Sequence, residues 1–104
     1  TPTYAVDLAN IFLKIINLDS DKYGIYHYSN EGVASWYDFA HAIIDLSKLK
    51  TKINPILTKD FLTLAKRPIY SVLNKHKIKS TFDVEIPHWR DSLKVALNNL
   101  KNEH

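Results

Sequence analysis

Arg67 is the residue with the most pointed chemical potential in this sequence. It sits in a loop beside Pro68 and three residues before Tyr70. A guanidinium can grip two phosphate oxygens at once, which an ammonium cannot. The proline restricts the backbone that carries it. Arg67 is therefore the leading candidate for contact with a diphosphate. Trp36 and Tyr37 offer flat faces on which a base or sugar could stack. An aromatic at helical spacing more often packs into a core, so both readings stand. His27, His41, His76, His88 and His104 share no metal-ligand spacing, and no metal site is expected. His41 reads as a surface or edge histidine on a helix, and His27 as a satisfied polar group in a strand.

Catalytic constellations are missing. Gly24 and Gly32 are the only glycines, so no glycine-rich phosphate loop can be built and no cofactor is expected on this chain. Four residues beyond Tyr4, Tyr23, Tyr26, Tyr28, Tyr37 and Tyr70 stand Leu8, His27, Asn30, Gly32, His41 and Asn74. No tyrosine is thus followed at that spacing by a lysine that could tune it as a proton donor.

The charge is unevenly placed. The 104 residues carry a net charge of +3. From Ser47 to Ser80, however, nine Lys or Arg residues face the single Asp60. Such a stretch could accept a diphosphate or a polyanion, but most of these lysines read as a solvated face. A small nucleic-acid binder using Lys48–Lys79 lacks a recognisable motif and strong overall basicity, so no nucleic acid is expected. Apolar residues make up 45% of the chain and aromatics 12%, which argues for a folded globule. No apolar run approaches the ~20 residues that span a bilayer, and no membrane partner is expected. With no cysteine there is no disulfide or thiolate metal site, which makes the cytoplasm the default compartment. The abrupt opening Thr1-Pro-Thr-Tyr, with no methionine in the chain, suggests a piece of a longer protein, here one domain over residues 1–104.

The elements that must position these residues follow from periodicity. Leu8, Ile11, Phe12, Ile15 and Ile16 predict a helix from Tyr4 to Leu18, with Thr3 as cap. Gly24 to Tyr28 is a short apolar-aromatic run and predicts a strand. Ser35 and Asp38 form a capping-box pattern, with Asp for the usual Glu. They open a helix from Trp36 to Leu49, marked by Trp36, Phe39, Ala40, Ile43 and Leu46. Lys52 to Leu57 is a second strand candidate. Together these make a strand–helix–strand unit, which favours parallel pairing. Thr58 to Tyr70 reads as loop, Asn74 to Thr81 as one or two helical turns, and His88 to Lys101 as a final amphipathic helix. The expected class is α/β or α+β, with a small parallel strand pair and helices packed around it.

Six stretches carry a resemblance. They are Pro2-Thr-Tyr-Ala-Val-Asp-Leu-Ala9, Gly24-Ile-Tyr-His-Tyr-Ser29, Gly32-Val-Ala-Ser-Trp-Tyr-Asp-Phe-Ala40, Asn54-Pro-Ile56, Ala65-Lys-Arg-Pro-Ile-Tyr-Ser-Val-Leu-Asn74 and Ile86-Pro-His-Trp-Arg-Asp-Ser-Leu93. In this order they resemble the C-terminal part of dTDP-4-dehydrorhamnose reductases, which belong to the extended short-chain dehydrogenase/reductase superfamily. The resemblance implies reduction of dTDP-4-dehydro-L-rhamnose to dTDP-L-rhamnose with NADPH. It implies a cofactor-binding Rossmann half, absent here, that holds the Tyr-Lys pair. The C-terminal half would close over the dTDP-sugar, with Arg67 on the diphosphate and Tyr70 and Trp36 at the pocket wall. A fragment cut from such a protein should be inactive alone. It should also expose apolar surface, leading to self-association or dye binding.

Two departures stand out. Leu62 and Leu64 occupy loop positions where the family commonly has proline. His88 replaces a frequent capping Asp, a change worth about 1 kcal/mol if the histidine cannot cap. A second reading stays open: a non-catalytic module of the same fold that serves as a regulatory or protein-interaction subunit.

Overall fold

A computed structural model describes residues 1–56, 64–65, 68 and 70–102. Among these the chain forms four helices: α1 (Ala5–Asn17), α2 (Trp36–Leu46), α3 (His76–Phe82) and α4 (Trp89–Asn102). Each matches a periodic stretch, and the differences lie at the ends.

The start of α1 is held from a distance. Its N-cap is Tyr4, which makes no side-chain cap bond, so the expected Thr3 cap is not used. The Tyr4 amide instead donates to Asn30 Oδ1 at 2.7 Å, while Thr3 Oγ1 accepts from the Asn30 amide at 3.4 Å. The α2 start is local, with both halves of the Ser35–Asp38 capping box formed. Ser35 Oγ accepts from the Asp38 amide at 3.0 Å, and the Asp38 carboxylate accepts from the Ser35 amide at 2.9 Å. That backbone bond, helped by the Ser35 hydroxyl, holds the Asp38 carboxyl below its ordinary value. Helix α2 stops at Leu46, short of the expected Leu49, because Lys48 turns into the left-handed region at φ 58°. His88 does cap α4: its Nδ1 accepts from the Arg90 amide at 3.2 Å, which replaces the missing aspartate.

Two apolar clusters hold the helices. Ala42, Trp89 and Leu93 join α2 to α4, with Phe39, Ile43, Leu46 and Leu97 around them. The Phe39 and Trp89 rings meet edge-on at 6.4 Å. Ile78, Phe82 and Val84 form the second cluster, against Ile11 and Ile15 of α1 and the Tyr26 and Tyr28 side chains. Helix α1 buries no residue fully, and Phe12, Leu13 and Ile16 remain about 60% exposed or more (61%, 59% and 66%).

The expected parallel strand pair does not form among the described residues. The only β contact there is an isolated parallel bridge between Glu31 and His88. The Gly24–Tyr28 segment is tied to helices rather than to a strand. Lys77 Nζ donates to the Ile25 carbonyl at 2.8 Å, and the Tyr26 ring packs on Phe82 at 5.1 Å. The second candidate, Lys52–Leu57, has no ladder partner among the described residues, and Leu57 lies outside them. Most of the Thr58–Tyr70 loop also lies outside them.

Candidate functional site

The corner Ser29–Gly32 is where the molecule's polar groups converge. Asn30 is fully buried at 0% exposure. Its amide nitrogen donates toward Asp7 Oδ2 (2.8 Å), the Pro87 carbonyl (3.1 Å) and Ser92 Oγ (3.1 Å). Ser92 in turn donates to Asp7. One side chain thereby joins α1, the approach to α4 and α4 itself. Next to it, the Glu31 amide donates to the Pro87 carbonyl and the Trp89 amide donates to the Glu31 carbonyl, both at 2.9 Å.

Gly32 completes the corner. Its φ of 93° lies in the region that only glycine adopts freely. A Cβ there would meet His88 Nε2 at 2.5 Å and Trp89 Cδ1 at 2.9 Å. Backbone and ring are pressed together at the entry to α4.

Cations from α3 and its N-cap face this corner. Lys75 Nζ is buried and donates to the Asn30 carbonyl at 2.8 Å and to Ser29 Oγ at 3.3 Å. It also lies 3.3 Å from Glu31 Oε1, and Lys79 Nζ approaches the same oxygen at 2.7 Å. The Lys79 contact, followed by Lys75, holds the Glu31 carboxyl below its ordinary range against the opposing effect of burial. Beneath the corner, burial and then the Asp7 charge raise the Tyr28 phenol, whose buried oxygen has no hydrogen-bond partner among the described residues.

Above these ions lies an open cleft of about 370 Å³, with Glu31, Gly32 and Val33 on one side and Val72–His76 with Lys79 on the other. A second shallow hollow of about 350 Å³ lies between Tyr37, Asp38, His41, Trp89 and Arg90. Arg90 is engaged there with Asp45 of α2 at 2.7 Å, an exposed ion pair across the α2–α4 seam. No group of His, Cys, Asp or Glu among the described residues could hold a metal ion. No described helix is long and apolar enough to cross a membrane. The arrangement can bind and orient, with a cationic floor and a tightly seated glycine corner.

Of the residues named from sequence, Trp36 is 84% exposed at the first position of α2, its ring edge-on to Phe39 at 6.4 Å. Trp36 thus lies outside both apolar clusters of the described residues. Tyr70 is 74% exposed. No ring contact joins the two among the described residues, and Arg67 lies outside those residues. His41 is exposed beside Tyr37, with ring centres 5.8 Å apart, and His27 is exposed rather than enclosed. Asn30, Glu31 and Lys75 escaped the sequence reading. Their one local signal was the i, i+4 spacing of Lys75 and Lys79, which places both toward one side of a helix.

Comparison with known proteins gives one consistent answer. The family model described as RmlD substrate binding domain matches residues 1–102. The dTDP-4-dehydrorhamnose reductase of Aggregatibacter actinomycetemcomitans is 41% identical over 103 residues, covering 89% of this chain and 35% of that protein. The spore coat polysaccharide biosynthesis protein SpsK of Bacillus subtilis is 40% identical over 97 residues, covering 93% and 33%. Among solved structures, a dTDP-4-dehydrorhamnose reductase from Clostridium acetobutylicum superposes with a TM-score of 0.87 at 40% identity, covering 97% of this chain and 35% of that one. The Bacillus anthracis reductase, solved in complex with NADP, gives 0.79 at 32% identity, covering 90% and 32%. The chain spans about a third of the length of the relatives it matches.

Proposed function

Since the chain belongs to the family of RmlD substrate binding domains, we propose that it forms the sugar-nucleotide side of a dTDP-4-dehydrorhamnose reductase. The supporting observation is a likeness that runs over 97% of the chain onto one third of a reductase, at a TM-score of 0.87. In this reading residues 1–104 are one substrate-binding domain. The reductase acts in the cytoplasm on dTDP-4-dehydro-L-rhamnose. Arg67 holds the diphosphate, and Tyr70 and Trp36 line the pocket. The high exposure of Trp36 and Tyr70 supports this, since both rings are free to meet a ligand.

The residues present do not fit a nicotinamide dinucleotide. Its pyrophosphate needs a glycine-rich turn at a helix start. Gly32 is already filled by His88 and Trp89, and Gly24 faces Lys77 at 3.1 Å. NADPH therefore belongs to a Rossmann half outside this chain, together with the proton donor. What this chain contributes is binding, orientation and exclusion of water around the sugar nucleotide.

The test is NADPH oxidation with dTDP-4-dehydro-L-rhamnose, run on the full-length protein and on residues 1–104 alone. Turnover by the first and none by the second is expected. A folded full-length protein that binds partners but never turns over would replace this reading with the regulatory one.

A further inference from the structure

The segment Ile25–Ser29 has the form of a strand and no strand beside it. Tyr26 and Tyr28 pack against the cluster of Ile78, Phe82 and Val84. Ile25, by contrast, is 79% exposed, and His27 is exposed between the two tyrosines. That two-residue period belongs to extended chain with one covered face. Yet no backbone–backbone hydrogen bond reaches any residue from Ile25 to Ser29 among the described residues. Main-chain N–H and C=O groups in folded proteins are nearly always paired, with other backbone, side chains or water.

One edge of this segment is in use. Successive residues of a strand turn their N–H and C=O groups to opposite edges. The Ile25 carbonyl accepts from Lys77 Nζ at 2.8 Å. Glu31, of the same parity, makes the two backbone bonds of 2.9 Å with Pro87 and Trp89 that form the parallel bridge to His88. Tyr26 and Tyr28 turn their backbone groups to the other edge, and no bond meets them there among the described residues. Natural sheets shield an open edge with charged side chains, prolines or bulges. Ile25-Tyr-His-Tyr-Ser29 contains no Lys, Arg, Asp, Glu or Pro. Isoleucine and tyrosine are strand formers, so the stretch is suited to pairing.

We propose that Ile25–Ser29 is the docking edge for a β-strand of the same polypeptide, supplied from outside residues 1–104. Tyr26 and Tyr28 bond to that strand through their backbone groups, which is the way an extended segment adds to a sheet edge. The inference rests on the reading above that this chain is one part of a longer reductase. Length names the source, because about two thirds of each relative lies outside the match. Energetics favour it over a second copy. A pair of strands about five residues long is marginal on its own. Between free molecules it must also offset the lost translational and rotational freedom, which a strand of the same chain does not.

The test is amide hydrogen exchange on the full-length wild-type protein, read residue by residue by NMR. The Tyr26 and Tyr28 amides should exchange at least about 100-fold more slowly than free peptide amides, as bonded amides that need local opening do. The His27 amide between them should exchange faster. Cover by anything other than a strand gives no such alternation. Free-peptide rates at Tyr26 and Tyr28, or equal protection of Tyr26, His27 and Tyr28, would overturn the proposal. Slow exchange that is lost on dilution to a protein sedimenting as a monomer would overturn it too, because the partner would then be a second copy. Turnover with NADPH separates this from the reductase reading. An inactive full-length protein with the alternating pattern supports the strand and overturns that reading, while an active one without the pattern overturns the strand alone.

Discussion

Gly32 shows how one missing side chain sets a whole corner. Its φ is 93°, and the place of a Cβ is taken by the His88 ring at 2.5 Å. Gly32→Ala must therefore strain the backbone and push away the residue that caps α4. We expect a loss of roughly 2–4 kcal/mol in denaturant unfolding, from the combined strain and displaced packing. Glu31, beside it, ties stability to pH. Contact with Lys79 and then Lys75 lowers its carboxyl in the folded chain, while unfolding returns it to its ordinary value of 4.5. The unfolded chain then binds the proton first as the solution is acidified. This contribution is present above that value and is lost as pH falls below it, through the lowered native value. Asp38 acts the same way, from 3.8 downward. An acid titration of unfolding should show this fall, and Glu31→Gln should flatten its upper part. An unchanged acid limb would show that the ion cluster does not contribute.

At the scale of elements, helix ends decide more than helix interiors. The Ser35–Asp38 box joins side chains and backbone at both ends of the first turn of α2. Ser35→Ala should cost about 1 kcal/mol in the same unfolding assay, the usual worth of an N-cap. No loss would mean that α2 is held by its contact with α4 alone. The helices themselves were legible, because Ile11 and Ile15, or Phe39, Ile43 and Leu46, recur on one face and do pack inward. The α2 box was legible too, being a local pattern. The strand pair is not seen among the described residues, and an apolar run such as Ile25–Tyr28 does not say what will pair with it. Here Lys77 and Phe82 take that place. The polar node was equally hidden: Asn30 reaches Asp7, Pro87 and Ser92 across 23 to 62 residues of sequence. Lys75, within a basic stretch of nine Lys and Arg residues, reads as one more solvated lysine until its burial is seen.

At the scale of the molecule, apolar surface is left in the open. Phe12, Leu13, Ile16, Trp36 and Tyr70 are all more than half exposed, α1 contributing three of them. Contiguous apolar patches beyond a few hundred Å² are unusual on monomers that work alone. Residues 1–104 by themselves should therefore bind an apolar-surface dye or self-associate in sedimentation. A strictly monomeric chain that leaves the dye dark would make this a self-contained domain. The likeness to one third of the reductases points the same way. We propose above that this part of the molecule grips the sugar nucleotide while the dinucleotide is held elsewhere. The role proposed for Arg67 is its sharpest test: a charge-assisted bidentate contact with the diphosphate would contribute about 1.5–3 kcal/mol. The most direct measurement is calorimetric titration of full-length wild type, Arg67→Ala and Arg67→Lys with dTDP and with NADPH. Arg67→Ala should weaken dTDP binding by roughly 10- to 150-fold, Arg67→Lys should recover only part of the loss, and NADPH affinity should stay as it was. Wild-type dTDP affinity in Arg67→Ala, or loss of both ligands together, would contradict the account.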